Sequence, residues 1–182
     1  MFGRKISPEE FEAAAMPHLN DIFRTAVNLL RDRTEAEDLT QEVYYQAWKS
    51  FHRFEPGTNC RAWLFRILFN RMHQQRRKWF QLRTVKEPEI LEQTLAYEPP
   101  VPDTIRDEDI LAALRDLQPD YREVVLLADV EEFAYKEIAS MLEIPVGTVM
   151  SRLSRGRKAL RQRLAGAAGE FGIKPRAEGQ AQ

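Results

Sequence analysis

The stretch FAYKEIASMLEIPVGTVMSRLSRGRKALRQRL, Phe133 to Leu164, decides the fold. Its apolar residues fall at helical spacing in two runs. Ile138, Ala139 and Leu142 give the first run an inward face, and Val149, Leu153, Gly156 and Leu160 do the same for the second. Glu143-Ile144-Pro145 forms the turn between them, with Ile144 facing inward. Ala139 is small, which lets the second helix cross closely. This is the pattern of a helix-turn-helix, with helices at 135–142 and 147–165. Thr148, Met150, Ser151, Arg152, Ser154 and Arg155 are left off the core. Residues near the N-terminus of such a second helix reach base edges in the major groove, and arginine pairs bidentately with guanine. Arg155 and Ser151 share one face. Arg152, Arg157, Lys158 and, on the first helix, Lys136 suit phosphates, which position a protein without reading sequence. A charged helical hairpin would show the same periodicity, but inward spacing, turn and basic second helix all agree here.

The totals do not advertise a nucleic-acid binder. Of 182 residues, 43% are hydrophobic and 30% charged, enough to bury a core and stay in solution, and the formal net charge is -1. Mean hydropathy is -0.50, and no apolar run approaches the roughly 18 residues that cross a membrane. No apolar stretch of signal-peptide type follows the N-terminus. The charge is segregated, however. Pro56 to Lys86 contains no acid but holds Arg61, Arg66, Arg71, Arg76, Arg77, Lys78, Arg83 and Lys86. Ile144 to Gly169 contains no acid but holds Arg152, Arg155, Arg157, Lys158, Arg161 and Arg163. Solvated faces usually interleave both signs, so two basic blocks point to two polyanion contacts. One cysteine, Cys60, and three scattered histidines form neither a disulfide nor a metal set, which places the chain in a reducing cytoplasm and predicts no metal and no cofactor.

Outward from the helix-turn-helix, the pattern is helical nearly throughout, and the fold class is all-α. Ser7-Pro8-Glu9-Glu10 and Thr34-Glu35-Ala36-Glu37 read as capping boxes, opening helices to about Leu30 and Phe51, with Pro17 able to kink or divide the first. Pro56-Gly57 marks a loop, and Asn59 caps a third helix through about Trp79. Residues 81–106 carry an acidic segment with Pro88, Pro99, Pro100 and Pro102, a composition that favours a flexible linker. It divides a helical domain at 1–80 from a second at 107–165, whose first helices are predicted at 107–117 and 120–129. Residues 166–182 read as a disordered tail.

The third helix is apolar nearly all round, yet Arg66, Asn70, His73 and Arg77 form one face, flanked by Arg71, Gln74 and Lys78. That face suits a nucleic-acid backbone and exposed base edges. Trp63, Phe65 and Phe69 are better read as core. Phe54 and the loop residues Thr58 and Asn59 are better placed to meet unpaired bases, where stacking is worth about 1–3 kcal/mol per base. The second helix carries Asp38, Gln41, Glu42 and Gln46 on a polar stripe, either solvated or facing a basic protein partner.

These residues resemble a known family. Asp38-Leu39-Thr40-Gln41-Glu42-Val43-Tyr44-Tyr45-Gln46-Ala47-Trp48 looks like the second region of bacterial sigma factors. Phe54 to Leu64 resembles the loop and promoter-melting helix of the extracytoplasmic-function (group 4) class of the sigma-70 family. Ile144 to Arg157 is similar to that class's fourth region. The resemblance spans about Pro8 to Leu164 in the right order. It implies that Asp38, Leu39, Gln41 and Glu42 dock on the beta-prime clamp of core RNA polymerase. It implies that Phe54, Thr58, Asn59, Arg66, Asn70, His73 and Arg77 contact the −10 element. It implies that Lys136, Thr148, Met150, Ser151, Arg152, Ser154, Arg155 and Lys158 serve the −35 element, and that the fourth region meets the beta flap. The acidic linker would thread toward the active-site channel. An anti-sigma factor is the implied inhibitor, and the loop wording is closest to the redox-responsive branch whose inhibitors often carry zinc. Met150 and Ser154 depart from the larger polar or aromatic residues that relatives often carry, which leaves the −35 preference open.

The function so implied is binding to polymerase and promoter DNA, not catalysis: no nucleophile–base pair or phosphate loop is visible. A stand-alone helix-turn-helix regulator would bind duplex tightly without polymerase. A helical enzyme acting on nucleic acid would need an acid/base constellation that is not seen.

Overall fold

The computed structural model describes the backbone of residues 7–82 and 107–170, with side chains for 7–77 and 107–165. The linker expected at 81–106 lies outside the described residues except for Gln81 and Leu82, and the tail expected at 166–182 except for residues 166–170; both of these short pieces are helical instead. Among the described residues there are eight α-helices: α1 (Pro8–Ala15), α2 (Leu19–Leu30), α3 (Arg33–Ser50), α4 (Cys60–Leu82), α5 (Asp107–Arg115), α6 (Pro119–Val125), α7 (Tyr135–Leu142) and α8 (Val146–Glu170). No strand occurs among the described residues.

Pro17 does divide the first predicted helix: a 3₁₀ turn at Met16–His18 separates α1 from α2. Neither capping box forms as expected. Ser7 caps α1 without a side-chain bond to the backbone, because its hydroxyl donates to the Glu9 carboxylate instead. The second helix begins two residues early, at Arg33. Asp32 is its cap, and its carboxylate accepts the Glu35 N–H at 2.9 Å. A full negative charge at the positive end of the helix is a good cap, and it wins over the threonine two residues on. Asn59 caps α4 as read, its side-chain oxygen accepting the Ala62 N–H at 3.0 Å. α8 runs on to Glu170, so the helix extends past the predicted boundary at 165 through an alanine-containing stretch.

In the first unit, α2, α3 and α4 pack around Ile22, Ala26, Leu39, Val43, Leu64, Leu68 and Phe69, all fully buried. α1 covers one end, where Phe11 meets Trp48 and Phe51 edge-on at ring distances of 5.2 Å. In the second unit, α6 lies under α8, and α7 completes the helix-turn-helix. Gly156 is the contact that allows this. A Cβ there would lie 2.8 Å from Val125 Cγ2 and 3.3 Å from Tyr121 Cβ. The close crossing that a small residue makes possible is thus α8 on α6, through Gly156; Ala139 on α7 is also buried. The turn after α7 is made by Glu143, whose φ of 56° is left-handed, and by Pro145, whose carbonyl accepts from Thr148 and Val149.

The predicted α6 extension to Asp129 changes character part-way. After Val125 the chain widens into a π-helical turn over Leu126–Val130. The Glu131 N–H bonds the Leu126 carbonyl at 2.9 Å, and the Phe133 N–H bonds that of Leu127 at 2.9 Å. The wider turn aims Glu131 and Phe133 at the first unit. The two units therefore do not stand apart: Phe65 of α4 meets Phe133 edge-on at 4.9 Å, and one buried cluster runs through both.

Candidate nucleic-acid interface

The predicted reading helix is built as expected. Val149 and Leu153 are buried, so α8 presents Met150, Ser151, Ser154 and Arg155 to solvent, with Thr148, Arg152 and Lys158 partly exposed. Met150 is 54% exposed, a large apolar side chain without cover. Lys136 is exposed on α7. Two of the predicted phosphate contacts already have acidic partners. Arg152 pairs with Asp120 at 2.5 Å, and Arg157 grips Asp129 through two nitrogens at 2.5 and 3.1 Å. The Asp129 hydrogen bonds hold the Arg157 pKa above its ordinary value.

The acidic face of α3 keeps Asp38 and Gln41 exposed. Glu42 is partly engaged by α4, by Arg71 at 3.3 Å and Gln75 at 3.0 Å. Arg71 also donates to Gln46 at 2.5 Å, so it turns toward α3 and does not flank the basic face as read. Leu39 is 0% exposed. It seats α3 in the core and offers no surface to a partner, because the turn of the helix that exposes Asp38 and Gln41 points Leu39 inward. Beside this face, Tyr45 is 63% exposed with Lys49 over its ring at 5.1 Å.

The basic face of α4 is present but covered. Arg66 faces Glu143 at 3.6 Å, and His73 meets Glu123 at 3.0 Å. Asn59 donates its amide to Glu137 at 3.0 Å. Asn70 is half-buried, and Arg77 is exposed. Phe54 is stacked on Phe51 at 5.4 Å and tilted on Trp63 at 5.2 Å, which holds it at the mouth of the loop. Thr58 is exposed, its hydroxyl donating to the Glu55 carbonyl at 2.6 Å. Two further arginines of the same basic block also find acidic partners. Arg76 reaches Glu123 at 3.3 Å. Arg61 donates to the Glu131 carbonyl at 2.8 Å and pairs with its carboxylate, while its guanidinium lies over the Phe65 and Phe133 rings at 5.1 and 4.5 Å. Glu123 and Glu131 were missed because nothing in their local pattern marks them. One signal was available: a helix as apolar all round as α4 needs cover on every side.

The buried Arg122 ties the units together at another point. Its guanidinium donates to four carbonyls: Leu114 at 3.0 Å, Arg115 at 2.6 Å, Leu117 at 2.8 Å and Leu29 at the end of α2 at 3.1 Å. Burial brings its pKa down to about 10. Cys60 opens α4, half-buried, and burial pushes its thiol up to about 11.

Comparison with known proteins agrees with this geometry. Residues 15–80 match the family model Sigma-70 region 2, and residues 107–160 match Sigma-70, region 4. The chain is 34% identical over 148 residues to the ECF RNA polymerase sigma factor EcfG of Rhodopseudomonas palustris, covering 81% of this chain and 79% of the relative. It is 35% identical over 166 residues to SigE of Mycolicibacterium smegmatis, covering 85% of this chain but only 64% of that relative's length. Among solved structures, it resembles the sigma factor RpoE of Bartonella quintana in complex with the anti-sigma factor NepR. That match has a TM-score of 0.69 and 30% identity, over 86% of this chain and 97% of the other. The chain belongs to the extracytoplasmic-function group of the sigma-70 family. It is a sigma factor, built of regions 2 and 4 of that family.

Proposed function

We propose that the chain joins core RNA polymerase and brings it to promoters by two DNA grips, α8 on the −35 element and α4 with its preceding loop on the −10 element. The observation that carries this reading is the orientation of α8. Val149, Leu153 and Gly156 hold its inner face, so Met150, Ser151, Ser154 and Arg155 project together from its N-terminal half. That is the part of such a helix that meets base edges. Docking through Asp38, Gln41 and Glu42 on the beta-prime clamp, with the fourth region on the beta flap, ties the two grips to one enzyme. Tethering raises their joint affinity through effective concentration. Opening the duplex needs no bond chemistry. Capture of an unstacked base beside Phe54, Thr58 and Asn59 offsets the few kcal/mol of unpairing.

An inhibitor belongs to the proposal, because the Bartonella relative is bound by an anti-sigma factor. The wording of the loop at Phe54–Leu64 supports the redox-responsive branch, and zinc in a co-purified inhibitor is the corresponding expectation. The absence of a helix long and apolar enough to cross a membrane among the described residues suits a cytoplasmic protein. Run-off transcription with core polymerase tests the main reading. Arg155→Ala should lower −35 discrimination by about 1–3 kcal/mol. Glu42→Ala should weaken polymerase binding without changing promoter preference. Wild-type behaviour of both variants would refute the assignment, and tight duplex binding without polymerase would point to a stand-alone regulator instead.

A further inference from the structure

We propose that Asp120 and Asp129 restrain the duplex affinity of α8: each holds one of the arginines suited to phosphates, so attraction to DNA of any sequence stays low and base contacts decide where the helix binds. The proposal rests on the −35 role given to α8 above. Ile144 to Gly169 carries six cations and no acid. Two of these cations are met by acids from the segment beneath. Arg152 pairs with Asp120, in the first turn of α6, at 2.5 Å. Arg157 is held by Asp129, in the π-helical turn that follows α6, through two bonds at 2.5 and 3.1 Å. Paired bonds of this kind fix the plane of the guanidinium as well as its charge. Arg155 lies between the two in sequence, is exposed, and has no acidic partner among the described residues.

The placement follows from helix geometry. At about 100° per residue, Arg152 and Arg157 fall on opposite edges of the outward face, either side of the buried Val149, Leu153 and Gly156. Ser151, Ser154 and Arg155 stand between those edges and are exposed. A helix lying in the major groove has a phosphate strand along each edge and base pairs in front. The edge arginines are therefore those that phosphates attract, and Arg155 is the one that meets bases.

Phosphate attraction is independent of sequence and supplies nearly all non-specific binding, whereas base contacts discriminate. A carboxylate bonded to a guanidinium cancels its charge locally and repels an incoming phosphate. Two neutralised edges beside one unpaired reading arginine lower the affinity for every sequence and leave the preference of Arg155 intact. Neither pair is needed to hold the fold. The Asp120 side chain is 52% exposed and the Arg157 side chain 44%, and ion pairs so open to water contribute little to stability.

The test titrates the full chain, by fluorescence anisotropy, with a labelled duplex of random sequence about two helical turns long, between about 50 and 200 mM salt. Asp120→Asn/Asp129→Asn should bind it about tenfold more tightly than the wild type at the low end. Its affinity should fall about tenfold further across the range, since each freed arginine adds about 0.9 to the slope of log K against log salt. Each single variant should show about half of that change in slope. Asp107→Asn/Glu108→Gln removes the same charge from exposed sites on α5 that bond no α8 arginine among the described residues, and should shift the affinity by less than about twofold. Adding Arg152→Gln/Arg157→Gln to the aspartate variant should restore the wild-type affinity and slope. Unchanged or weaker binding by Asp120→Asn/Asp129→Asn overturns the proposal, because the aspartates would then be aiming the arginines at phosphates. A gain that the α5 variant matches, or that survives the loss of both arginines, overturns it too. Should the double variant lose its helical circular dichroism, the two single variants carry the same test. Run-off transcription with core polymerase is scored separately: its failure counts against the sigma reading, and the duplex titration decides the restraint by itself.

Discussion

Cys60 shows how burial overrules a favourable position. As the first residue of α4 it sits at the positive end of a helix dipole, which would lower a thiol pKa. Half-burial against Tyr44 and its neighbours wins, and the thiol is pushed up to about 11. Since the pKa is raised, the reactive thiolate is scarce at neutral pH and grows as pH rises. Alkylation by iodoacetamide at pH 7.5 should be slower than for a small thiol by about 100-fold. The rate should keep climbing past about pH 10, and a plateau by about pH 9.5 would show the shift to be absent. A redox signal is better sensed elsewhere than at this residue. Arg122 is the opposite case, a charge kept buried by its partners. Arg122→Met leaves four carbonyls without a donor and should cost about 3–5 kcal/mol. Arg122→Lys should recover only part, since an ammonium lacks the planar fork. Denaturant midpoints of the three proteins check this order.

At the scale of elements, two glycines of α8 separate packing from propensity. Gly156 has Val125 and Tyr121 against the position of a Cβ, whereas Gly147 has nothing within 4 Å. Gly156→Ala gains helix propensity but forces α8 off α6, a net loss of about 1 kcal/mol. Gly147→Ala meets no neighbour and should hold or raise Tm by the same propensity. Thermal melts that ranked the two in the other order would contradict the α6–α8 crossing. The caps follow local chemistry less reliably. Ser7-Pro8-Glu9-Glu10 has every residue of a capping box, yet Ser7 turns to Glu9. Asp32 supplies the cap that Thr34 was expected to give. Several short polar side chains near a helix start compete for the same N–H groups, and a shift of one or two residues costs little.

At the scale of the molecule, the joint between the units makes folding one event. Phe133 is buried against Phe65, with Arg61 lying over both rings. The wild type should unfold in a single calorimetric transition at low salt, because one apolar cluster runs through both units. Phe133→Ala removes the central contact and should cost about 3 kcal/mol. It should also split the transition into two, one for each unit. A single transition unchanged in Tm would show the units to be independent. Region 4 thus has two faces in one small volume: α8 leaves Met150, Ser151, Ser154 and Arg155 exposed, while Glu123 of α6 and Glu137 of α7 face α4.

Much of this was legible before any coordinates. Helical periodicity placed all the main elements, α7 to the residue, because each amphipathic stretch carries its own inward face. Charge segregation marked α4 and α8 as the two basic helices, since a run of cations without acids is a local property. Even Pro17 announced its break, as a missing N–H acts where it stands. What the sequence could not supply was the partner of each surface. Arg71 leaves the basic face for Glu42, Leu39 lies inside beneath the exposed Asp38 and Gln41, and Arg152 and Arg157 find aspartates. Glu123, Glu131, Glu137 and Glu143 look like ordinary solvated acids in the chain. Only the π turn and the packing of Phe133 on Phe65 bring them onto α4. The helices and their charges are decided by neighbours within a few residues. Which charge meets which is decided by contacts dozens of residues apart, and these exist only once the tertiary structure has formed.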